Sequence, residues 1–278
     1  MVLLAQISDL HLDGTARAIE RADRVMDHLR ALPRAVDAVL VTGDIADRGD
    51  PAEYRQAAEI LTCESPVLVC PGNHDERRAF RSGLLGKLGA PLGAAAESAA
   101  RDTESAPINQ LHRIGDAAIV LLDSTIPGSP DGLLTPDTLD WLTSTLDDLG
   151  GTVPVLLALH HPPVDLHHPL PDRYPLRRRE DLAEVLAGRP EVVAILGGHA
   201  HTAATSMFAA RPVILAPAVT WTLRMPWEGD SPVDLAAPPA LAFHVLEDWR
   251  LTTHFRILAS PASERGRVGS AGRRDQAP

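Results

Sequence analysis

The chain has 278 residues, 45% of them hydrophobic, and a net charge of −11. That content supports a sizeable core and argues against a disordered or fibrous chain, while the acidic balance excludes a general basic surface for nucleic acid. No apolar run approaches the roughly 20 residues of a membrane helix, and the N-terminus lacks a basic n-region and a cleavage site, so a soluble, cytoplasmic protein is expected.

The first 90 residues alternate strand and helix. An apolar strand over 2–7 ends at Asp9-Leu10-His11. A helix follows over 16–31, with Ile19, Val25, Met26 and Leu29 facing the core. The strand at 38–41 runs into Gly43-Asp44. Asp50 is a candidate N-cap, Pro51 suits the first helical position and Glu53 completes a capping box, so a second helix should run to about residue 62. The strand at 66–70 delivers Gly72-Asn73-His74-Asp75. Cys63 and Cys70 flank it and read as small apolar fillers; a disulfide between them would need an oxidising compartment.

Another helix is expected after Asp75, weakened at its end by Gly83, Gly86 and Gly89. The Ala/Ser/Gly-rich stretch 90–107 reads as a surface insertion or a substrate lid, part of a short flap over 76–107. Strands are expected at 109–114 and 117–122, then a helix from the Thr135-Pro136-Asp137 cap to about Leu149. The strand at 153–159 delivers His160-His161-Pro162-Pro163. A Pro- and His-rich loop spans 164–176, a helix 178–187, and the strand at 192–196 delivers Gly198-His199-Ala200-His201.

Beyond this the helical pattern fades. Short strands at 203–208, 213–215, 241–246 and 252–257 suggest an antiparallel second sheet half, with a surface loop over 226–239. Residues 260–278 lack apolar period and read as a disordered tail. One domain over 1–259 is expected, of α/β class with a strand-rich C-terminal third.

Five apolar strands thus end in carboxylate, amide oxygen or imidazole, at the C-terminal ends where open α/β sheets place their sites. They suggest one polar pocket holding two divalent metals. Oxygen and imidazole donors without thiolate suit Mn, Fe, Zn or Co. Asp44 is the best candidate to bridge the ions. Gly43, Gly72, Gly197 and Gly198 are expected to permit the turns that aim the neighbouring side chains inward.

The set Asp-x-His, Gly-Asp-x-x-Asp-Arg-Gly, Gly-Asn-His-Asp, His-His-Pro-Pro and Gly-His-x-His resembles the calcineurin-like metallophosphoesterases. The runs Thr42 to Tyr54 and Gly72 to Arg77, supported by Leu159 to Pro163, resemble the class III cyclic-nucleotide phosphodiesterases among them. The resemblance covers roughly residues 2–216. It implies a four-layer α/β/β/α sandwich of two mixed sheets. It implies that Asp9, His11, Asp44 and His201 bind one metal, and Asp44, Asn73, His160 and His199 the other. His74 would contact the phosphate or its leaving oxygen, oriented by Asp47, while Asn73, Arg48 and His201 would also meet substrate.

The implied activity is hydrolysis of 3′,5′-cyclic nucleotides such as cAMP to 5′-monophosphates by a water ionised between the two cations. Relaxed action on 2′,3′-cyclic nucleotides and aryl diesters is expected. The implied partner is a small phosphodiester, with a homodimer as the assembly to consider. A glycerophosphodiesterase, a phosphomonoesterase and a non-catalytic phosphate binder are the alternatives. His161 should pack beside the site; His167, His168 and Arg173 read as a solvated loop; Asp123 reads equally as a pocket contact or a turn cap. Trp221, Trp227 and Trp249 read as packing residues rather than base-stacking ones.

Overall fold

The computed structural model describes residues 1–88 and 106–259. Its elements run β1 (Val2–Ile7), α1 (Ala16–Arg30), β2 (Ala38–Thr42), α2 (Pro51–Ile60), β3 (Val67–Cys70) and α3 (Arg77–Leu84). Then come β4 (Gln110–Ile114), β5 (Ala117–Leu122), β6 (Thr125–Ile126), β7 (Ser129–Leu133), α4 (Pro136–Leu149) and β8 (Val155–Leu159). A 3₁₀ turn (Pro171–Arg173), β9 (Leu176–Arg177), α5 (Arg179–Leu186), β10 (Val192–Gly197), β11 (Ala204–Phe208) and β12 (Arg211–Leu215) follow. The last strands are β13 (Thr222–Leu223), β14 (Val233–Asp234), β15 (Ala240–Glu247) and β16 (Arg250–Ile257).

Local chemistry sets the helix starts. Thr15 and Thr135 cap α1 and α4 by accepting from Ala18 N and Thr138 N. The Glu53 carboxylate reaches back to Asp50 N at 3.1 Å in the expected capping box. Glu76 accepts from Arg78 N and Ala79 N and so starts α3. Gly150, at φ 63°, ends α4.

The strands form two mixed sheets. One has the order β16-β15-β1-β2-β3, the other β11-β12-β10-β8-β5-β4. Their central strands pair parallel, β1 with β2 and β2 with β3 in the first, β5 with β8, β8 with β10 and β10 with β12 in the second. Side-chain alternation then builds the layers. On β5, Ala117, Ile119 and Leu121 join Leu4, Leu40 and Leu68 in a core between the sheets. Ala118, Val120 and Leu122 face Leu142 and Leu146 of α4 and Leu182 of α5. On β1, Ala5 and Ile7 pack with Val25 and Met26 of α1 and Tyr54 of α2. The result is helices, sheet, sheet, helices, the expected four-layer sandwich.

Gln6, the next inward position on β1 after Leu4, is fully buried. Its amide donates to Thr42 Oγ1 and to the Gly197 carbonyl of the opposite sheet, both at 3.0 Å. Its oxygen accepts from His244 Nε2 at 2.9 Å. This network ties the two sheets together directly beneath the strand ends that carry the site.

Three expectations change. The four C-terminal strands do not form one antiparallel half: β11 and β12 extend the second sheet, while β15 and β16 extend the first, β15 antiparallel to β1. Alternation identifies a strand without naming its partner. The loop at 226–239 contains β14, paired with β13, and residues 125–133 and 176–177 form the small sheet β6-β7-β9; β7, with Pro130, Asp131 and Gly132 at its centre, shows no apolar alternation, and the other four strands have two residues each. Trp227 and Trp249 are exposed at 74% and 43% rather than packed. Cys63 and Cys70 are both free thiols. The first part of the flap expected over 76–107 is α3; residues 89–105 and the tail expected over 260–278 lie outside the described residues. Among the described residues no helix is long and apolar enough to cross a membrane.

Candidate active site

The C-terminal ends of β1, β2 and β3 meet those of β8 and β10 at one edge of the two sheets. Asp9 N donates to the Gly43 carbonyl at 3.1 Å, His11 N to Asp44 O at 2.9 Å, and Gly198 N to His160 O at 3.1 Å. With His74 N on Asp44 Oδ1 at 2.9 Å and His199 N on Asp9 Oδ1 at 3.1 Å, these bonds splice the five loops into one floor. Asp9, His11, Asp44, His199 and His201 all take positive φ, between 45° and 65°. Such conformations cost of order 1–3 kcal/mol each for non-glycine residues and persist only where the surroundings enforce them. In each pair the two left-handed residues flank one that is not left-handed, Leu10 or Ala200, and Asp9 and His11, or His199 and His201, turn to the same side.

The glycines act differently from expectation. Of the four, Gly43 alone has positive φ, at 88°. Gly72 and Gly198 serve close approach: a Cβ on Gly72 would strike the Asp44 carboxylate, and one on Gly198 would strike the Ser8 hydroxyl and the Thr42 carbonyl. The left-handed turns fall on the acidic and histidine residues themselves.

The side chains converge. His11 Nε2 lies 3.4 Å from Asp44 Oδ2 and 3.2 Å from His201 Nε2. His201 Nε2 lies 3.5 Å from Asp9 Oδ1. On the other side, His160 Nε2 is 3.4 Å from the same Asp44 Oδ2 and 3.2 Å from Asn73 Oδ1. The ring of His199 sits 5.1 Å from that of His160. Asp9, Asp44, His11, His160 and His201 are buried, whereas His74 is exposed at the mouth. A cavity of about 240 Å³ opens over this floor, walled by Leu170, Pro171, Tyr174, Trp221 and Leu223.

Each imidazole is oriented through its other nitrogen. His160 Nδ1 donates to the Thr42 carbonyl at 2.8 Å, His201 Nδ1 to Trp221 O at 3.1 Å, and His199 Nε2 to Tyr174 O at 3.1 Å. His11 Nδ1 meets Asp47 Oδ1 at 3.2 Å. Such outer partners fix the tautomer of metal-ligating histidines. They leave His160 Nε2 facing Asp44 Oδ2 and Asn73 Oδ1, both acceptors, so that a proton or a metal cation must lie between them. They also leave Asp9 Oδ2 buried without a hydrogen-bond partner. Facing acceptors and an orphaned carboxylate oxygen are costly in a low-dielectric interior, and a cation relieves both. The residues present therefore fit divalent metals.

Electrostatics agree. Burial opposes charge on His160, but Asp44 outweighs it and holds the imidazole up at about 9. Burial likewise works against His11, and the Asp47 carboxylate and Asp44 raise it nonetheless. Burial works to raise Asp44, yet the surrounding histidines, His160 foremost, hold it well below the usual carboxylate range. Burial, then the neighbouring histidines, depress His199 to about 4 and His201 to about 3, which keeps them neutral and able to ligate.

Three positions differ from expectation. The Asp47 carboxylate turns to His11, and it is the Asp47 backbone carbonyl that accepts from His74 Nδ1, at 2.7 Å. Arg48 is not brought into the cavity: its side chain is 72% exposed, with Nε 3.9 Å from Asp47 Oδ2. Its backbone N–H is held by Glu53 at the helix cap, which aims the side chain at solvent. His161 is spoken for on both nitrogens, by Ser124 Oγ at 2.8 Å and Pro130 O at 3.1 Å. His168 also departs from the solvated loop expected of it: it is a buried strut, bonded to Leu170 N and Arg224 O. Asp123 caps a turn by accepting from Thr125 N and pairs with Arg77 Nε at 2.8 Å, and neither residue lines the cavity over the site.

Some contributors escaped the sequence reading. Asp75 accepts from Gly72 N, Ala46 N and Ile45 N, and from the Tyr54 hydroxyl. It thereby staples the Asp44 loop to the Asn73 loop. Burial first, and Asp44 next, raise it to about 6. Its place in Gly-Asn-His-Asp was the available signal. The Trp221 and Tyr174 carbonyls had none, since every residue carries one.

A profile of the calcineurin-like phosphoesterases matches residues 2–203. A probable cyclic nucleotide phosphodiesterase of Rhodococcus erythropolis is 33% identical over 234 residues, covering 79% of this chain and 71% of its own. The glycerophosphodiester phosphodiesterase GpdQ of Enterobacter lignolyticus is 30% identical over 89% of both chains. Among solved structures, a dimetal phosphatase from Danio rerio superposes with a TM-score of 0.69 over 93% of this chain and 96% of that one, at 16% identity, so the two share a fold.

Proposed function

Because the chain belongs to the calcineurin-like phosphoesterase family, we propose that it is a two-metal phosphodiesterase opening 3′,5′-cyclic nucleotides such as cAMP to 5′-monophosphates. One observation carries this reading: Asp44 Oδ2 lies 3.4 Å from His11 Nε2 and equally far from His160 Nε2. A single oxygen shared by two imidazole groups is what a bridging carboxylate requires. Asp9, His11, Asp44 and His201 would hold one ion, and Asp44, Asn73, His160 and His199 the other, with Mn, Fe, Zn or Co suited to these donors. Bound there, the ions supply a water of near-neutral pKa and neutralise charge on the phosphoryl oxygens.

The chain's own residues do the rest. Asn73 and His201 border the place a phosphate takes, and the apolar walls around the cavity exclude water from it. His74 donates Nδ1–H to the Asp47 carbonyl, so its protonated ring presents Nε2–H towards the leaving oxygen. As water oxygen bonds to phosphorus, the bond to O3′ breaks and O3′ takes that proton. Asp47 positions His74 by its carbonyl and, by its carboxylate, His11, which would hold one of the ions. The walls hold few groups that could read a base edge, which fits relaxed action on 2′,3′-cyclic nucleotides. The same reading has the enzyme acting on a small diester in the cytoplasm, with a homodimer to be checked by sedimentation.

The Rhodococcus relative's name supports the substrate. The 89% mutual coverage with GpdQ favours glycerophosphodiesters as the second reading. Rates on cAMP, bis-p-nitrophenyl phosphate, glycerophosphocholine and p-nitrophenyl phosphate, with Mn added, separate the two. Protein that leaves both cAMP and bis-p-nitrophenyl phosphate intact sinks the proposal.

A further inference from the structure

Trp221 lies beyond the matched span of residues 2–203, and none of the metal-ligand motifs contains it. Its ring stacks on His201, with centroids 3.8 Å apart and planes 26° from parallel. Its own carbonyl accepts His201 Nδ1–H at 3.1 Å. One residue therefore holds this imidazole on a face and on an edge. The terminal torsion of histidine is broad and two-fold, so a ring without such a hold swings and flips. With Nδ1 committed to the carbonyl, the Nε2 lone pair points at Asp9 Oδ1 and His11 Nε2.

Trp221 is itself anchored from two sides. The chain after β12 runs beside the end of β1, where Val219 N donates to Ser8 O at 3.0 Å and Thr220 N to Asp9 O at 3.1 Å. From α1, Arg21 Nε donates to the Val219 carbonyl at 2.8 Å and Arg17 to the Thr220 carbonyl at 3.1 Å. Three successive carbonyls, of residues 219, 220 and 221, thus accept from Arg21, Arg17 and His201. A backbone tied on both edges gives the indole a fixed platform.

We propose that Trp221 is a positioning residue for His201, and that the segment 216–223 is a working part of the metal centre. This rests on the reading of His201 as a metal ligand, which His201→Ala tests separately. Mn²⁺ binding to the full-length protein is measured by calorimetry for wild type, Trp221→Ala, Trp221→Phe and His201→Ala. Trp221→Ala keeps the carbonyl but loses the stacking face; it should weaken one of two Mn equivalents about 10-fold or more, the usual effect of removing an outer-shell support. Its kcat should fall at limiting Mn and recover with excess Mn. Trp221→Phe should restore most of the affinity. Co²⁺ should quench tryptophan emission in wild type, and Trp221→Phe should lose a large part of that quenching.

If His201→Ala still binds both equivalents, the ligand reading fails and the clamp falls with it. If His201→Ala loses one while Trp221→Ala binds both with wild-type affinity, the clamp alone is overturned. Equal Co²⁺ quenching in wild type and Trp221→Phe overturns it too, even where Trp221→Ala does not fold.

Discussion

Replacing His244 by Gln should flatten the acid limb of the stability curve. His244 is fully buried between the sheets, its Nε2–H donating to Gln6 Oε1 at 2.9 Å and its Nδ1 meeting Thr253 Oγ1 at 2.8 Å. Burial depresses it to about 4, against about 6.5 in an unfolded chain. The folded state therefore resists a proton that the unfolded state accepts. Stability from this group is complete above pH 6.5 and is lost as pH falls towards 4. Integrating the proton difference between pH 7.5 and pH 4.5 gives a loss of about 2.5 kcal/mol. Glutamine can donate to Gln6 Oε1 but cannot titrate. Urea unfolding of chelator-treated wild type and His244→Gln across this range cancels every other titrating group. Between pH 7.5 and pH 4.5 the stability difference between the two proteins should shift by about 2.5 kcal/mol in the variant's favour, whatever the variant costs at pH 7.5. Curves that stay parallel would refute the account, because they would mean that His244 is charged or solvated when folded.

Removing the imidazole of His74 should lower kcat by roughly 10²–10⁴ with both metal equivalents retained, since general-acid groups contribute about that much; metal analysis alongside steady-state kinetics checks both halves. Asp75→Asn should destabilise the protein by about 2–3 kcal/mol, because an amide cannot accept from three backbone N–H groups and the Tyr54 hydroxyl as the carboxylate does; denaturant titration at pH 8 measures it. Gly198→Ala should force Ser8 and the Thr42 carbonyl apart, costing about 1–3 kcal/mol and weakening metal binding, read by melting with and without Mn.

Much of this protein is legible from local pattern. The apolar strands at 2–7, 38–42, 67–70, 155–159 and 192–197, and the caps at Asp50 and Thr135, follow from side-chain period and hydrogen-bonding chemistry within a few residues. So does the appearance of Asp, Asn and His just past the strand ends, which pointed to a metal pocket. Partner choice is non-local, and only the folded chain settles it. Packing decides that β12 joins β10 while β15 joins β1, and that Asp47 turns its carboxylate to His11 and its carbonyl to His74. The left-handed turns at Asp9, His11, Asp44, His199 and His201 are likewise imposed from outside, because Asp and His tolerate that region more readily than most residues but are not driven into it by local sequence. The carbonyls of Thr42, Tyr174 and Trp221 that orient three imidazoles come from backbone that any residue supplies. A carbonyl leaves no mark in a sequence; its role exists only once the tertiary fold aims it.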